Sequence, residues 1–282
     1  MRWLVNKTFR FGTLLFTTLL LCNVAFASFN KSLWPKWEVT NPLSQEVISH
    51  QEWKTFLNTR VMTNDEGINL IDYPNLTDED IKLLNQYISK MSAININQYN
   101  RREQLAYWLN LYNALTMITV AKYYPVESIQ EINISPGLFS IGPRGANIIT
   151  VNGTQLTLED IHSRIIRPIW NDPRTHYALN NGSIGAANIG KEPFKGVTIE
   201  DQLNLAAKEY INSLRGAQVI DDKLILSRLY DWFKEDFGGE DRDVVLHLKQ
   251  FASESLLQKL NQVNKISVYN YNWHLNTTLG VS

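Results

Sequence analysis

The sequence predicts an α+β domain, mostly helical, with short strands and hairpins around one central buried helix at 101–124. Three observations carry this. The stretch RREQLAYWLNLYNALTMITVAKYY is apolar on nearly every side from Leu105 to Ala121, and a helix apolar all round belongs inside a domain. About seven helical patterns recur along the chain. The strand signals between them are short hairpins with few βαβ alternations, which argues against a doubly wound sheet.

The chain opens with Arg2, Lys7 and Arg10, an apolar run at 11–21, then Ala25-Phe26-Ala27. A basic segment, a short apolar core and a small-x-small end describe an export signal, with cleavage expected after Ala27. The core falls short of the ~20 residues that span a bilayer, so no stable membrane span is expected once residues 1–27 are gone. Cys22, the one cysteine, leaves with them. The mature chain then has no disulfide, no thiolate nucleophile and no cysteine-ligated metal. Losing three basic residues leaves 24 Lys+Arg against 28 Asp+Glu, a formal charge of −4. Without a concentrated basic patch, no nucleic-acid partner is expected. The full chain is 44% hydrophobic with eight tryptophans, seven of them beyond residue 27, and reads as globular. It divides into an N-terminal arm and helix at 28–64 and one globular domain at 65–282.

Residues 28–48 read as an extended arm anchored by Trp34 and Trp37. Ser49-His50-Gln51-Glu52 has capping-box spacing ahead of a helix carrying Trp53, Phe56 and Leu57. Residues 68–73 alternate like a strand, and Thr77 caps a second helix with Asp80 three positions on. In the central helix Glu103, Ala106, Asn110, Asn113 and Met117 share one side, within roughly 80° of arc. An unpaired buried amide costs about 1–3 kcal/mol, so this stripe must meet partners.

Pro125 stops the helix. Residues 135–145, SPGLFSIGPRG, form a loop suited to be a rim or lid. Asn152-Gly153 turns a hairpin, and Thr157 caps a helix to about Ile166. Asp172-Pro173-Arg174-Thr175 leads into an expected short strand, His176-Tyr177-Ala178-Leu179. It emerges into 180–190, NNGSIGAANIG, the composition of a loop whose backbone approaches something closely. Residues 198–214 read as a helix, Asp221-Asp222 as a second hairpin turn, and Ser227 as the cap of a helix through Phe233. A last helix is expected at 244–260 and a last strand at 266–271.

Five phrases in this order are QLAYWLNLYNALT (104–116), LTLEDIHSRIIR (156–167), DPRTHYALNNGS (172–183), SRLYDWFKEDFG (227–238) and YNWHLN (271–276). Together they resemble the domain-of-unknown-function 547 family. The resemblance implies a fold and a site, and no settled activity. It also implies departures. Members usually read A-L-N-C with a second cysteine soon after, whereas this chain has Asn181 and Ala186 at those places. Where they usually read I-E-H, this chain has Ile161-His162-Ser163. If relatives use a thiol, this chain has lost it.

The candidate site is therefore His176 and the loop residues Asn180, Asn181, Gly182 and Ser183, facing Asn110, Asn113 and Glu103. One reading is a hydrogen-bonded framework with a degenerate site, in a protein that binds a small ligand or an envelope partner. A second is a serine hydrolase with Ser183 as nucleophile, His176 as base and Glu103 as orienter. A third is a purely structural envelope protein. No cofactor is expected. No metal is expected either: His50, His162, His176, His247 and His274 show no HxxxH or HExxH spacing, although two could still converge in space. Trp273 is a candidate cleft aromatic and Trp232 a core one. Glu235-Asp236 reads as a solvated turn.

Overall fold

The computed structural model describes residues 30–137, 141–263 and 265–279. The expected export signal, Cys22 and part of the 135–145 loop lie outside them. Among the described residues the chain forms eight α-helices and seven short strands, a single α+β domain.

The central helix, α3 (Arg101–Tyr123), follows α1 (Gln51–Arg60) and α2 (Asp78–Ala93). Asn100 caps it, its side chain accepting from the Arg102 and Glu103 amides. Residues 103–117 are all buried, which is why the helix shows no amphipathic face. Trp108 meets Trp37 of the N-terminal arm edge-on at 5.2 Å, and Trp37, Trp53 and Phe56 belong to the same core as α3. The arm and α1 are thus part of the domain's interior.

The buried acid and amide side chains of α3 each hold a different segment, while Thr116 and Thr119 return to carbonyls of the helix itself. Glu103 accepts from the Ile48 amide at 3.2 Å. Gln104 donates to the carbonyls of Val39 and Ile96. Asn110 donates to Phe194 O at 2.8 Å and accepts from Phe194 N at 3.0 Å. Asn113 donates to Ala178 O and accepts from Asn180 N, both at 2.9 Å. The stripe therefore satisfies itself on backbone that has no ladder of its own, as buried polar groups must.

Short strands form three small sheets. β1 (Val61–Thr63) pairs with β2 (Asn69–Ile71), and β3 (Ile149–Val151) with β4 (Thr154–Leu156), both antiparallel. β5 (Ala217–Ile220) and β6 (Lys223–Ser227) form the second hairpin, and β7 (Ile266–Asn270) adds to β6 in parallel. Asn152 and Asp221-Asp222 take positive φ at the two hairpin turns, as type I′ geometry requires.

Four local expectations are corrected. His50 rather than Ser49 precedes α1, with no side-chain cap. Residues 176–179 are not a strand: Pro173–Tyr177 is a 3-10 helix, opened by Asp172 accepting from Arg174 N. The helix after Thr157 contains a π segment, Asp160–Ile166, in which Arg167 N reaches His162 O. It continues into α4 (Arg167–Trp170), where Pro168 supplies no N–H to the ladder. α5 (Ile199–Ile211) and α6 (Leu229–Trp232) follow as expected, but the last helix is two, α7 (Asp241–Phe251) and α8 (Glu254–Leu260). The break is made by Asn212, which accepts from Ser253 N at 2.6 Å and donates to Phe251 O.

Replacing Asn113 by Leu strands the Asn180 N–H and the Ala178 carbonyl. Asn113→Leu is expected to cost about 1–3 kcal/mol in urea unfolding. An unchanged midpoint would contradict the clamp.

Candidate functional site

The loop after His176 is built by close approach. Gly182 has φ +83°, and an added Cβ would meet Ile129 and Val120 at 3.3–3.4 Å. At Gly185 a Cβ would lie 2.9 Å from the Asn272 backbone. Glycine is what lets residues 182–185 pair with the C-terminal segment: Gly182 O accepts from Asn276 N, Ile184 N donates to His274 O, and Gly185 N to Asn272 O. Asn180 donates to Ala187 O and accepts from Gly182 N, closing the loop from inside.

Ser183 is buried within this pairing. Its hydroxyl donates to Asn181 Oδ1 at 2.6 Å and lies 3.0 Å from the Tyr271 hydroxyl. Asn181 Nδ2 donates to the same phenol at 2.8 Å. Burial pushes the Tyr271 phenol above its ordinary pKa.

His176 points elsewhere. Its Nε2 lies 2.8 Å from Asp236 Oδ2, and its Nδ1 lies 3.3 Å from His162 Nε2. The other nitrogen of His162 lies 2.8 Å from Arg144 Nη2. Two of the five histidines do converge, then. Arg144 also pairs with Glu159, and Asp236 is shared with Arg167 and Lys31.

The direction of this chain follows from its first donor. A guanidinium can only donate, so Nδ1 of His162 accepts and its proton sits on Nε2. That N–H faces Nδ1 of His176, which must accept, leaving Nε2–H of His176 to donate to Asp236. Both imidazoles are neutral Nε2–H tautomers, assigned from their partners. A second proton on His176 would set two N–H groups against each other.

Electrostatics agrees. Burial, then the Arg144 charge, holds His162 well below its ordinary pKa. Burial also lowers His176, against the opposing pull of Asp236. Burial alone would raise the Asp236 carboxyl, but the hydrogen bond from His176 and the Arg167 guanidinium hold it below the usual carboxylate range. Phe233 stacks on the His176 ring at 4.4 Å and closes the pocket on that side. The chain is open to solvent mainly at its far end, where Arg144 and Glu159 are 26% and 34% exposed.

The predicted site residues thus fall into connected but separate roles. Asn113 and Asn180 bond directly, Asn181 and Ser183 share Tyr271, and Gly182 lies between. Asn110 holds Phe194 instead. Glu103 faces Ile48 and Gly196; the acid on His176 is Asp236, a residue read from sequence as a solvated turn and here only 7% exposed. Asp236 was missed because it is sixty positions from His176. Its signal was the phrase at 227–238. Arg167 ends the phrase at 156–167, whereas Arg144 had no comparable signal. Among the described residues no three His, Cys, Asp or Glu side chains are placed to hold a metal.

The model of the family described as protein of unknown function, DUF547, matches residues 96–211. The chain carries a DUF547 domain. No curated protein and no solved structure matches it. The DUF547 match includes α3, Arg144, His162 and the 176–190 segment. Asp236 and Tyr271, which complete the buried network, lie beyond it.

Asp236→Ala would leave the buried Arg167 guanidinium without its carboxylate. A loss of about 3–5 kcal/mol is expected in chemical denaturation; a loss below about 1 kcal/mol would contradict a buried charge at this position.

Acid should also weaken the fold. His50, His162, His176 and His247 are all held below the ordinary 6.5, chiefly by burial, His50 and His247 at about 4. As pH falls through about 6.5 the unfolded imidazoles bind protons while the buried ones stay neutral, so stability drops. Tm is expected to fall steadily from about pH 7 toward pH 4; a flat or rising profile over that span would contradict it.

Proposed function

We propose that this is an exported protein of the bacterial envelope, periplasmic or secreted, that binds a small ligand or an envelope partner and performs no chemistry at the His176–Ser183 cluster. Export is supported by the basic, apolar and small-x-small order of residues 1–27. The single observation that carries the non-catalytic reading is the saturation of His176. A general base needs a free nitrogen within hydrogen-bond reach of its nucleophile. One nitrogen of His176 donates to Asp236 and the other accepts from His162, while the Ser183 hydroxyl is given to Asn181.

The same polar density has a use that needs no reaction. A fully satisfied buried network specifies one arrangement of the chain. Here it fixes the 180–190 loop and the 271–276 segment against each other, and Gly185 of the one and residues 271–274 of the other line an open cleft of about 690 Å³. That volume lies within the ~300–1,000 Å³ of ligand sites. Binding is assigned to this cleft, since His176, Asn180, Gly182 and Ser183 are themselves buried.

A serine-reactive fluorophosphonate tests the absence of chemistry. The purified protein is expected to remain unlabelled. Labelling that disappears in Ser183→Ala would overturn the reading in favour of a serine hydrolase.

A further inference from the structure

The cleft crosses the sheet rather than running along an edge: Gln218 of β5, Ile225 of β6 and Asn270 of β7 all line it. A peptide adding as a strand would seek an open edge. Glu127, Ser128, Gln130 and Glu131 of the 127–131 turn line it too, as do Asn272 and Trp273.

Its polar groups have a particular character. Gln130 and Asn270 line the cleft, and no side-chain hydrogen bond of theirs is found among the described residues. Asn272 accepts from His274 N through Oδ1, with no partner found there for its Nδ2. Arg215 turns two of its three nitrogens to other groups: Nη1 donates to Ile184 O and Ala186 O, and Nη2 to Asn188, while Nε is buried without a partner among the described residues. Glu127 and Glu131 are exposed carboxylates at the rim. An anionic ligand would meet two like charges, Glu127 and Glu131, against the single cation of Arg215.

We propose that this cleft binds a neutral oligosaccharide, an inference that rests on the binding reading above. The half-buried Trp273, which packs on Tyr271 and Trp232 at 4.7 and 5.4 Å, supplies an anchored aromatic surface for the C–H face of a sugar ring. Planar side-chain amides each offer a donor and an acceptor to neighbouring hydroxyls, and carboxylates accept from hydroxyls without requiring a charged partner. The buried hydrogen-bonded framework holds this set in place before the ligand arrives, which lowers the ordering cost of binding.

The test is calorimetric titration of the purified protein with maltohexaose, cellohexaose and chitohexaose, repeated on Asn272→Ala and Trp273→Ala. At least one hexaose is expected to bind with Kd below about 1 mM, the weak end of measurable affinity, and to bind at least tenfold more weakly to each variant. Asn272 is exposed, so its replacement keeps the test valid should Trp273→Ala disturb packing. No heat with any of the three, or equal affinity in Asn272→Ala, would overturn the saccharide assignment. That failure alone leaves the binding reading standing; only Ser183-dependent phosphonate labelling removes the latter.

Discussion

Asn113 is where the core and the site become one structure. Its single amide takes the Ala178 carbonyl and the Asn180 amide, and so ties the irregular stretch after His176 to the most buried helix of the domain. A helix surrounded by apolar neighbours cannot leave such a group unpaired. The chain that passes it must therefore adopt one path. Asn110 repeats the device on Phe194, and Glu103 and Gln104 apply it to the N-terminal arm.

The ionisable cluster beside this clamp obeys the same constraint. Arg144, His162, His176 and Asp236 exhaust one another in one donor direction, and Arg167 neutralises the end of the chain. A carboxylate at position 162, as the family resemblance implies for relatives, would accept from both Arg144 and a histidine at 176. With His162 in that place the imidazole must choose, and Arg144 makes the choice. The result is a network in which both nitrogens of His162 and of His176 face a partner.

Much of this was legible in the chain itself. The polar stripe on a greasy helix, the small-residue loop after His176 and the two hairpin turns follow from periodicity and from residues that tolerate positive φ. What was not legible depends on three-dimensional neighbours. Glu235-Asp236 has the composition of a surface turn, and only packing of the 3-10 turn Lys234–Phe237 near His176 makes Asp236 a buried partner. His176-Tyr177-Ala178-Leu179 looks like a strand, but Asp172-Pro173 sets helical turns first. The break between α7 and α8 is imposed by Asn212, forty residues upstream. The small residues of 180–190 predict a close approach, but nothing local names its partner: segment 272–278, which pairs with residues 71, 127–128 and 182–185.

The proton arrangement of the two facing imidazoles tests the central claim most directly. Nitrogen-15 long-range correlation spectra of the histidine rings report which nitrogen carries hydrogen. At pH 7 both His162 and His176 should be neutral with the proton on Nε2, and should stay so as the pH falls through the ordinary imidazole value of 6.5. A charged His176, or a proton on Nδ1 of His162, would show that Arg144 does not set the direction of the chain.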